Sequence, residues 1–368
     1  MNRPIRITHV LGILETGGTE LRMRDLVGCL AAKGLEADFV TLSGKEGSLA
    51  DSFRAIGATV SPLRAGPLFP LKLFLHLRAT RPHAIQSHVA TFSGLILSVA
   101  RLAGVRVRIA HFHSDGDGRP SSIRRRLYRA VMRQLIYWNA TNIVGVSPSA
   151  LSEGYSKHLS QDNRALVIPN GFVPSRSRYE PLPEVSARIF LSLGRASSEK
   201  NLSRMPAVLA AYRDRHGPAT LRIVGPRDIQ IDCAVLERAT HLDVKGYVAF
   251  SGPTSDIGDE LAGASALLLT SVREGLPSVV IEAAAIGLPV VSSDIAGSRW
   301  IASWFPWVHC VSLAADDQEW ADALEKALSA RPPLEVALRT FQASPFSMDQ
   351  FAQSFTRLYT IDSTGHFG

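Results

Sequence analysis

At 368 residues the chain is longer than one hydrophobic core usually serves, so two domains of roughly 150 to 200 residues are expected. Its composition, 46% hydrophobic and 20% charged, is that of a globular protein, and no apolar run approaches the ~18 residues of a membrane span. The net charge of +7 is uneven, with 24 Lys and Arg against 12 Asp and Glu in residues 1–180 and 16 against 21 in the remainder; a basic first half suits an anionic membrane surface, a phosphorylated acceptor or nucleic acid, and no nucleic-acid recognition motif accompanies it.

Met1-Asn2-Arg3-Pro4 leads directly into the strand-like run "RITHVLG" without a signal-peptide cleavage pattern, so the cytoplasm is the expected compartment. Three scattered cysteines, Cys29, Cys233 and Cys310, never in CxxC spacing, argue against a disulfide framework or a zinc site and are expected as inert core residues. After the first strand comes "GILETGGTELRMRDL", a glycine loop that opens a helix. Gly12 and Gly17 have P-loop spacing, but Gly18-Thr19 stands where a nucleoside triphosphatase needs Lys-Ser/Thr, and no GxGxxG dinucleotide pattern is present. Gly17 and Gly18 would let the backbone approach a ligand closely, with an anion favoured at the helix start; a plain tight turn is the simpler alternative.

Short β-branched runs then alternate with helical patterns: "ADFVTLSG", "SLADSFRAIG", "ATVSPL". That alternation reads as βαβ units around a parallel sheet. The strand-like start of "RIAHFHSDGDG" is followed by His111 and His113. Its Asp115-Gly116-Asp117 mimics a DxD metal motif but reads better as an Asp-Gly turn, so no metal site is expected there. Next, "SSIRRRLYRAVMRQLIYW" (121–138) sets Ile123, Leu127, Val131, Leu135 and Trp138 at helical spacing, with Arg125, Arg129 and Arg133 opposite. Such a helix either lies on anionic lipid or packs on its domain with a solvated arginine face.

The Pro- and Ser-rich stretch near 172–187 is a linker, after which the alternation restarts with "RIFLSLG", "ATLRIVG", "YVAFSG", "SALLLTS" and "LPVVSSD". The expected fold is α/β: two tandem Rossmann-like doubly wound domains, 1–175 and 176–345, facing across a cleft, with a C-terminal helix in 346–368 packing back on the first. Ligands of such sheets sit beyond the carboxyl ends of the strands, so the loops after strands are where sites belong. In "LSLGRASSEKNLSRM" that loop carries Arg195 and Lys200, two cations suited to a diphosphate, with Asn201 or Ser203 placed to cap a helix. In "SALLLTSVREGLPSVVIEAAAIG", Glu274 falls on the loop and Glu282 about two turns into the helix that Gly287 ends. Carboxylates accept paired hydrogen bonds from vicinal hydroxyls, which suits a sugar and a ribose at opposite ends of one ligand. The amides of Leu276, Ser278 and Val279 would hold the phosphates between them, while Pro277 has no N–H to give.

"GRASSEKN" followed by "EGLPSVVIEAAAIGLPVVSSDIAG", together with "TGGTEL" and "VIPNGF", resembles the retaining family-4 glycosyltransferases of GT-B fold. The resemblance covers nearly the whole chain. It implies that Glu282 holds the ribose of a nucleotide-sugar donor, that Glu274 contacts the transferred sugar and faces the reacting carbon, and that Arg195 with Lys200 neutralises the diphosphate without metal or other cofactor. It also implies a histidine near the donor sugar, with His113 the better match and His111 the alternative. One departure is "IAGSRWIASWFPWVHCVSL", which has a single Gly297 and no acid where many members carry a glycine pair and an acid, and which moves the chain toward the exopolysaccharide and capsule branch. A saccharide or polyprenyl-linked acceptor is the expected partner, met by the basic half. The competing readings are a nucleotide-sugar epimerase or phosphorylase of the same architecture and a catalytically silent binding subunit.

Overall fold

The computed structural model of the protein describes residues 5–15, 18–113, 122–155, 162–174, 188–254 and 256–360. Two compact units divide the chain: residues 1–171 with 348–368, and residues 172–347. Most of the stretch expected as a linker, 175–187, lies outside the described residues.

The first unit is a parallel sheet of seven strands: β1 (Ile5–Leu11), β2 (Leu35–Thr41), β3 (Thr59–Pro62), β4 (Ala84–Ser87), β5 (Val107–Phe112), β6 (Asn142–Gly145) and β7 (Ala165–Val167). Their spatial order is β3-β2-β1-β4-β5-β6-β7, every neighbour parallel. The second unit repeats the plan with β8 (Arg188–Leu193), β9 (Ala219–Val224), β10 (Val248–Ser251), β11 (Ala266–Leu269), β12 (Val290–Ser293) and β13 (Val308–Val311), ordered β10-β9-β8-β11-β12-β13. The expected pair of doubly wound sheets is thus present. In each, the strand order reverses once, between β1 and β4 and between β8 and β11. At such a reversal the crossover helices leave toward opposite faces and the loops beyond the carboxyl ends part to form a crevice.

Burial on both faces explains why these strands read as continuous apolar runs, as in "ALLL" of β11, all four residues buried. In the first unit Ile7, Leu11 and Ile109 share a core with the helix Gly18–Ala31 and with Phe351, Phe355 and Tyr359 of the helix Met348–Thr360. The last helix therefore completes the first unit's core, although a whole second sheet separates it from the rest in sequence. The cysteines do not occupy the core as expected: Cys233 is exposed, and Cys29 and Cys310 are only partly buried.

The basic helix forms over Ile123–Asn139, with the Ser122 hydroxyl accepting from the Arg125 amide at its start. Its orientation is the reverse of the packed helix with a solvated arginine face. Ile123, Leu127, Val131 and Trp138 face solvent, with Ile123 at 76% and Trp138 at 60% exposure. Arg125, Arg129 and Arg133 are the partly covered side, and Arg133 donates to the carbonyls of Glu153 (2.6 Å) and Gly154 (3.1 Å). Gly94 decides this placement. A Cβ there would lie 2.3 Å from the Met132 carbonyl oxygen, so only glycine lets the helix Ser93–Leu102 approach so closely. The Asn139 amide fixes the far end, donating to Ser98 Oγ at 3.0 Å. Gly94→Val should therefore force the helices apart and cost about 1–3 kcal/mol of stability, read as a lower urea midpoint; an unchanged midpoint would show that the contact is not needed.

Candidate functional site

The reversal in the second sheet brings two loops together, one after β8 and one after β11. In the first, Gly194 ends the strand at φ 145° and Gly225 faces it from the end of β9 at φ 141°, a conformation that side chains rarely adopt. The chain then makes two short 3₁₀ turns, Ser198–Lys200 and Leu202–Arg204, joined at Asn201 in the left-handed region, φ 50°. Neither Asn201 nor Ser203 caps the helix Met205–Arg215, which starts from Arg204 without a side-chain cap. Asn201 serves instead as the pivot that aims Lys200.

The second loop is tied to the first. Thr270 Oγ donates to the carbonyls of Lys200 (3.1 Å) and Asn201 (3.0 Å), and the Val272 amide donates to the Glu199 carbonyl at 2.8 Å. From below, Ser293 at the end of β12 donates to the Ser271 carbonyl at 2.5 Å. This frame sets Lys200 Nζ 2.5 Å from Glu274 Oε1, an ion pair whose side chains are 21% and 19% exposed, and Ser271 Oγ donates to the same oxygen at 2.9 Å. Glu274 is thereby held by one cation and one hydroxyl, leaving Oε2 for a further donor. Sequence reasoning selected Lys200 and Glu274 separately; their direct pairing, and Thr270 and Ser271 as its supports, it did not find.

Arg195 is exposed on the same loop. Its cation adds to an environment in which the Glu199 carboxyl is held below its usual range, first by its own backbone amide, then by Ser197 and by Arg273 and Arg195. The helix Ser278–Ala285 follows Pro277 with no side-chain cap, so its first amides point into the loop region. Ser278 is half-buried and Val279 buried, with Leu276 partly covered beside them. Glu282 lies one turn into this helix, not the two expected, because the helix begins only at Ser278. It is half-buried between the buried Ile281 and Ala283. Gly297 is explained by packing: a Cβ there would sit 2.8 Å from the Gly275 carbonyl oxygen and 2.9 Å from Pro277 Cδ, so it lets the helix Ala296–Ala302 brace the acidic loop.

In the first unit the loop after β1 is braced at Leu14, whose amide donates to the Glu46 carbonyl at 3.1 Å and whose carbonyl accepts from the Leu49 amide at 2.9 Å. Gly17 lies outside the described residues, as do Asp115 to Asp117; Gly18 is the first residue of its helix. The candidate His113 belongs to a larger group. His9 on β1, His88 just beyond β4, and His111 and His113 at the end of β5 project on one face of the sheet. Nδ1 of His88 is 2.8 Å from Nε2 of His113, and Nε2 of His88 is 3.2 Å from Nδ1 of His9. Burial lowers the basicity of all four, His9 to about 4 and His113 to about 3, with His88 and His111 lowered further by the neighbouring imidazoles. All four are therefore neutral near pH 7. His9 and His88 escaped the sequence reading because single histidines in "THVL" and "QSHV" carry no spacing signal.

Known proteins resemble this chain in sequence and fold. Residues 17–171 match the family described as "Glycosyl transferase 4-like domain", and residues 187–330 match "Glycosyl transferases group 1". This chain belongs to glycosyltransferase family 4. The glycosyltransferase is 25% identical to EpsF of Bacillus subtilis strain 168, across 97% of each chain, and 26% identical to the capsular polysaccharide biosynthesis glycosyltransferase CapH of Staphylococcus aureus, across 89% of this chain and 92% of CapH. Its fold is shared with Anabaena HepE, solved in complex with UDP, at a TM-score of 0.74 and 17% identity over 96% of this chain and 98% of HepE.

In this glycosyltransferase a side chain at position 194 would be strained by the backbone, at φ 145°, and would come into contact with Lys200 Cε and Nζ at 3.4 Å. Gly194→Val is expected to weaken nucleotide-sugar binding by about tenfold, a 1.4 kcal/mol loss, as measured by calorimetry on protein of native circular dichroism. Wild-type affinity would separate Lys200 from the donor.

Proposed function

We propose that the protein is a retaining hexosyltransferase that moves a sugar from a nucleoside-diphosphate donor to a saccharide or polyprenyl-linked acceptor in cell-surface polysaccharide or glycoconjugate synthesis. The observation that carries this reading is the Lys200–Glu274 pair at the strand-order reversal of the second sheet. Bond cleavage builds negative charge on the departing diphosphate and positive charge at the anomeric carbon. Lys200, with Arg195 and the amides of Leu276, Ser278 and Val279, meets the first; the Glu274 carboxylate meets the second. Glu282 takes the ribose hydroxyls; in the first unit, Gly18 at the start of its helix and His113 beyond β5 are the residues suited to contact a donor and its sugar.

Cations and amides at the helix start supply the diphosphate's neutralisation without a metal ion at the phosphates. Transfer proceeds by front-face attack, the departing phosphate oxygen receiving the acceptor's proton, and no general base is assigned. HepE bound to UDP-glucose supports a uridine nucleotide as the first donor to try. The names of CapH and its relatives support a polysaccharide product.

Among the described residues no helix is long and apolar enough to cross a membrane. The stripe Ile123, Leu127, Val131 and Trp138 instead suits peripheral attachment to an anionic lipid surface, where a polyprenyl-linked acceptor resides. Arg124 and Arg126, both exposed, lie beside the stripe to meet the headgroups.

A screen of UDP-sugars against the purified protein, read as UDP release that depends on acceptor, tests the activity. Release without acceptor dependence would favour an epimerase or phosphorylase, and donor binding with no turnover a silent subunit. Lys200→Ala should lower kcat about 100-fold or more with the fold intact, and Glu282→Ala should chiefly raise the donor KM; full activity in the Lys200 variant refutes the diphosphate assignment. Co-sedimentation with anionic vesicles should fall when Leu127 and Trp138 are changed to Ser together, and binding indifferent to lipid charge removes the membrane reading.

A further inference from the structure

His111 and His113 stand two residues apart at the end of β5, so period-two alternation puts both on one face of the sheet. His88 reaches the same face from just beyond the adjacent parallel strand β4. One ring nitrogen from each lies within 4.8 Å of the other two. Ring centroids are 5.2 Å apart for His88 and His111, 5.1 Å for His88 and His113, and 4.0 Å for His111 and His113. Three imidazoles around one tetrahedral zinc, with Zn–N near 2.0–2.1 Å, put nitrogens roughly 3.3 Å and ring centres roughly 5 Å apart. Two of the three ring spacings match; the His111–His113 rings need an opening of about 1 Å, and the His88 and His113 nitrogens, in hydrogen-bond contact at 2.8 Å, must part by roughly 0.5 Å to admit the ion.

We infer that His88, His111 and His113 form a three-histidine site for a zinc-class divalent cation. Two of the three ligands have the orienting partner that such a site requires, while Nδ1 of His113 is buried without one. A coordinating imidazole is oriented by a partner on its other nitrogen. His88 has His9 there, at 3.2 Å from its Nε2. His111 has Gln86, whose side-chain nitrogen lies 2.7 Å from Nδ1, and Gln86 is in turn held by the Tyr359 hydroxyl from the C-terminal helix. With the two ends of the Gln86 amide exchanged, His111 Nδ1 donates to its oxygen and Nε2 becomes a free lone pair. That Nε2 is buried and has no hydrogen-bond partner, a costly state for an imidazole nitrogen unless something binds it. His88 and His113 are only partly buried, which gives an ion a route in and leaves its fourth position open on that side.

An oxygen ligand such as a sugar hydroxyl fits the fourth position, and only this last role rests on the sugar-transfer reading.

The untagged full-length protein, stripped with a chelator and dialysed, is titrated with zinc by calorimetry and with cobalt(II) by visible absorption. One ion per chain and the intense d–d bands of tetrahedral cobalt are expected. His111→Ala and His88→Gln should each abolish the bands while far-ultraviolet circular dichroism stays native, and Tyr359→Phe should weaken zinc binding about 10-fold. Substoichiometric binding, octahedral cobalt spectra, or bands that survive the His88 and His111 changes overturn the site. Glycosyl transfer is not read in this experiment, so its outcome is independent of the donor screen.

Discussion

A single reversal of strand order governs the second unit. Because β8 and β11 are neighbours in the sheet though some seventy residues apart in sequence, the loops that leave their carboxyl ends meet. Lys200 and Glu274 are the consequence. Both side chains are mostly withdrawn from water, so the cost of desolvating them offsets much of their attraction and the pair matters chiefly by position. Thr270 and Ser293 spend their hydroxyls on the backbone of both loops, fixing the two charges before any ligand arrives. A site fixed in advance need not be ordered during the reaction, which is how charge stabilisation becomes rate acceleration.

Glycine performs a related task at several of these junctions. At Gly194 and Gly225 it allows backbone angles that a side chain resists, and at Gly297 it allows a helix to abut the acidic loop. The consensus glycine pair and acid missing from the segment after Asp294 thus leave behind one glycine whose reason is packing. In the first unit Gly94 has the same function for the basic helix. By letting that helix settle on its arginine side, it turns the apolar residues outward, the reverse of what amphipathic periodicity suggests for a helix on a globular domain.

The two units divide their electrostatics differently. The second presents fixed charges, with Lys200 balanced by Glu274. The first is basic overall, yet its own strand-order reversal is lined by neutral imidazoles, since burial makes protonation of four clustered rings unfavourable. The C-terminal helix belongs to that neutral site as much as to the core: Phe355 packs 5.5 Å from the His111 ring and Tyr359 anchors Gln86.

Alternating apolar runs determined the doubly wound fold, because local periodicity is written along the chain; position after a strand singled out Arg195, Lys200 and Glu274, with Glu282 in the helix beyond, as candidates, and the family was legible as a resemblance in "GRASSEKN" and "REGLPSVVIE". Tertiary structure alone decided that Lys200 touches Glu274, that the basic helix shows its apolar side to solvent, and that four histidines from three strands meet. Those facts depend on which strands neighbour one another and on how closely two backbones approach. Both are settled by packing between segments distant in sequence, 273 residues apart in the case of Gln86 and Tyr359, and no local pattern encodes such a distance.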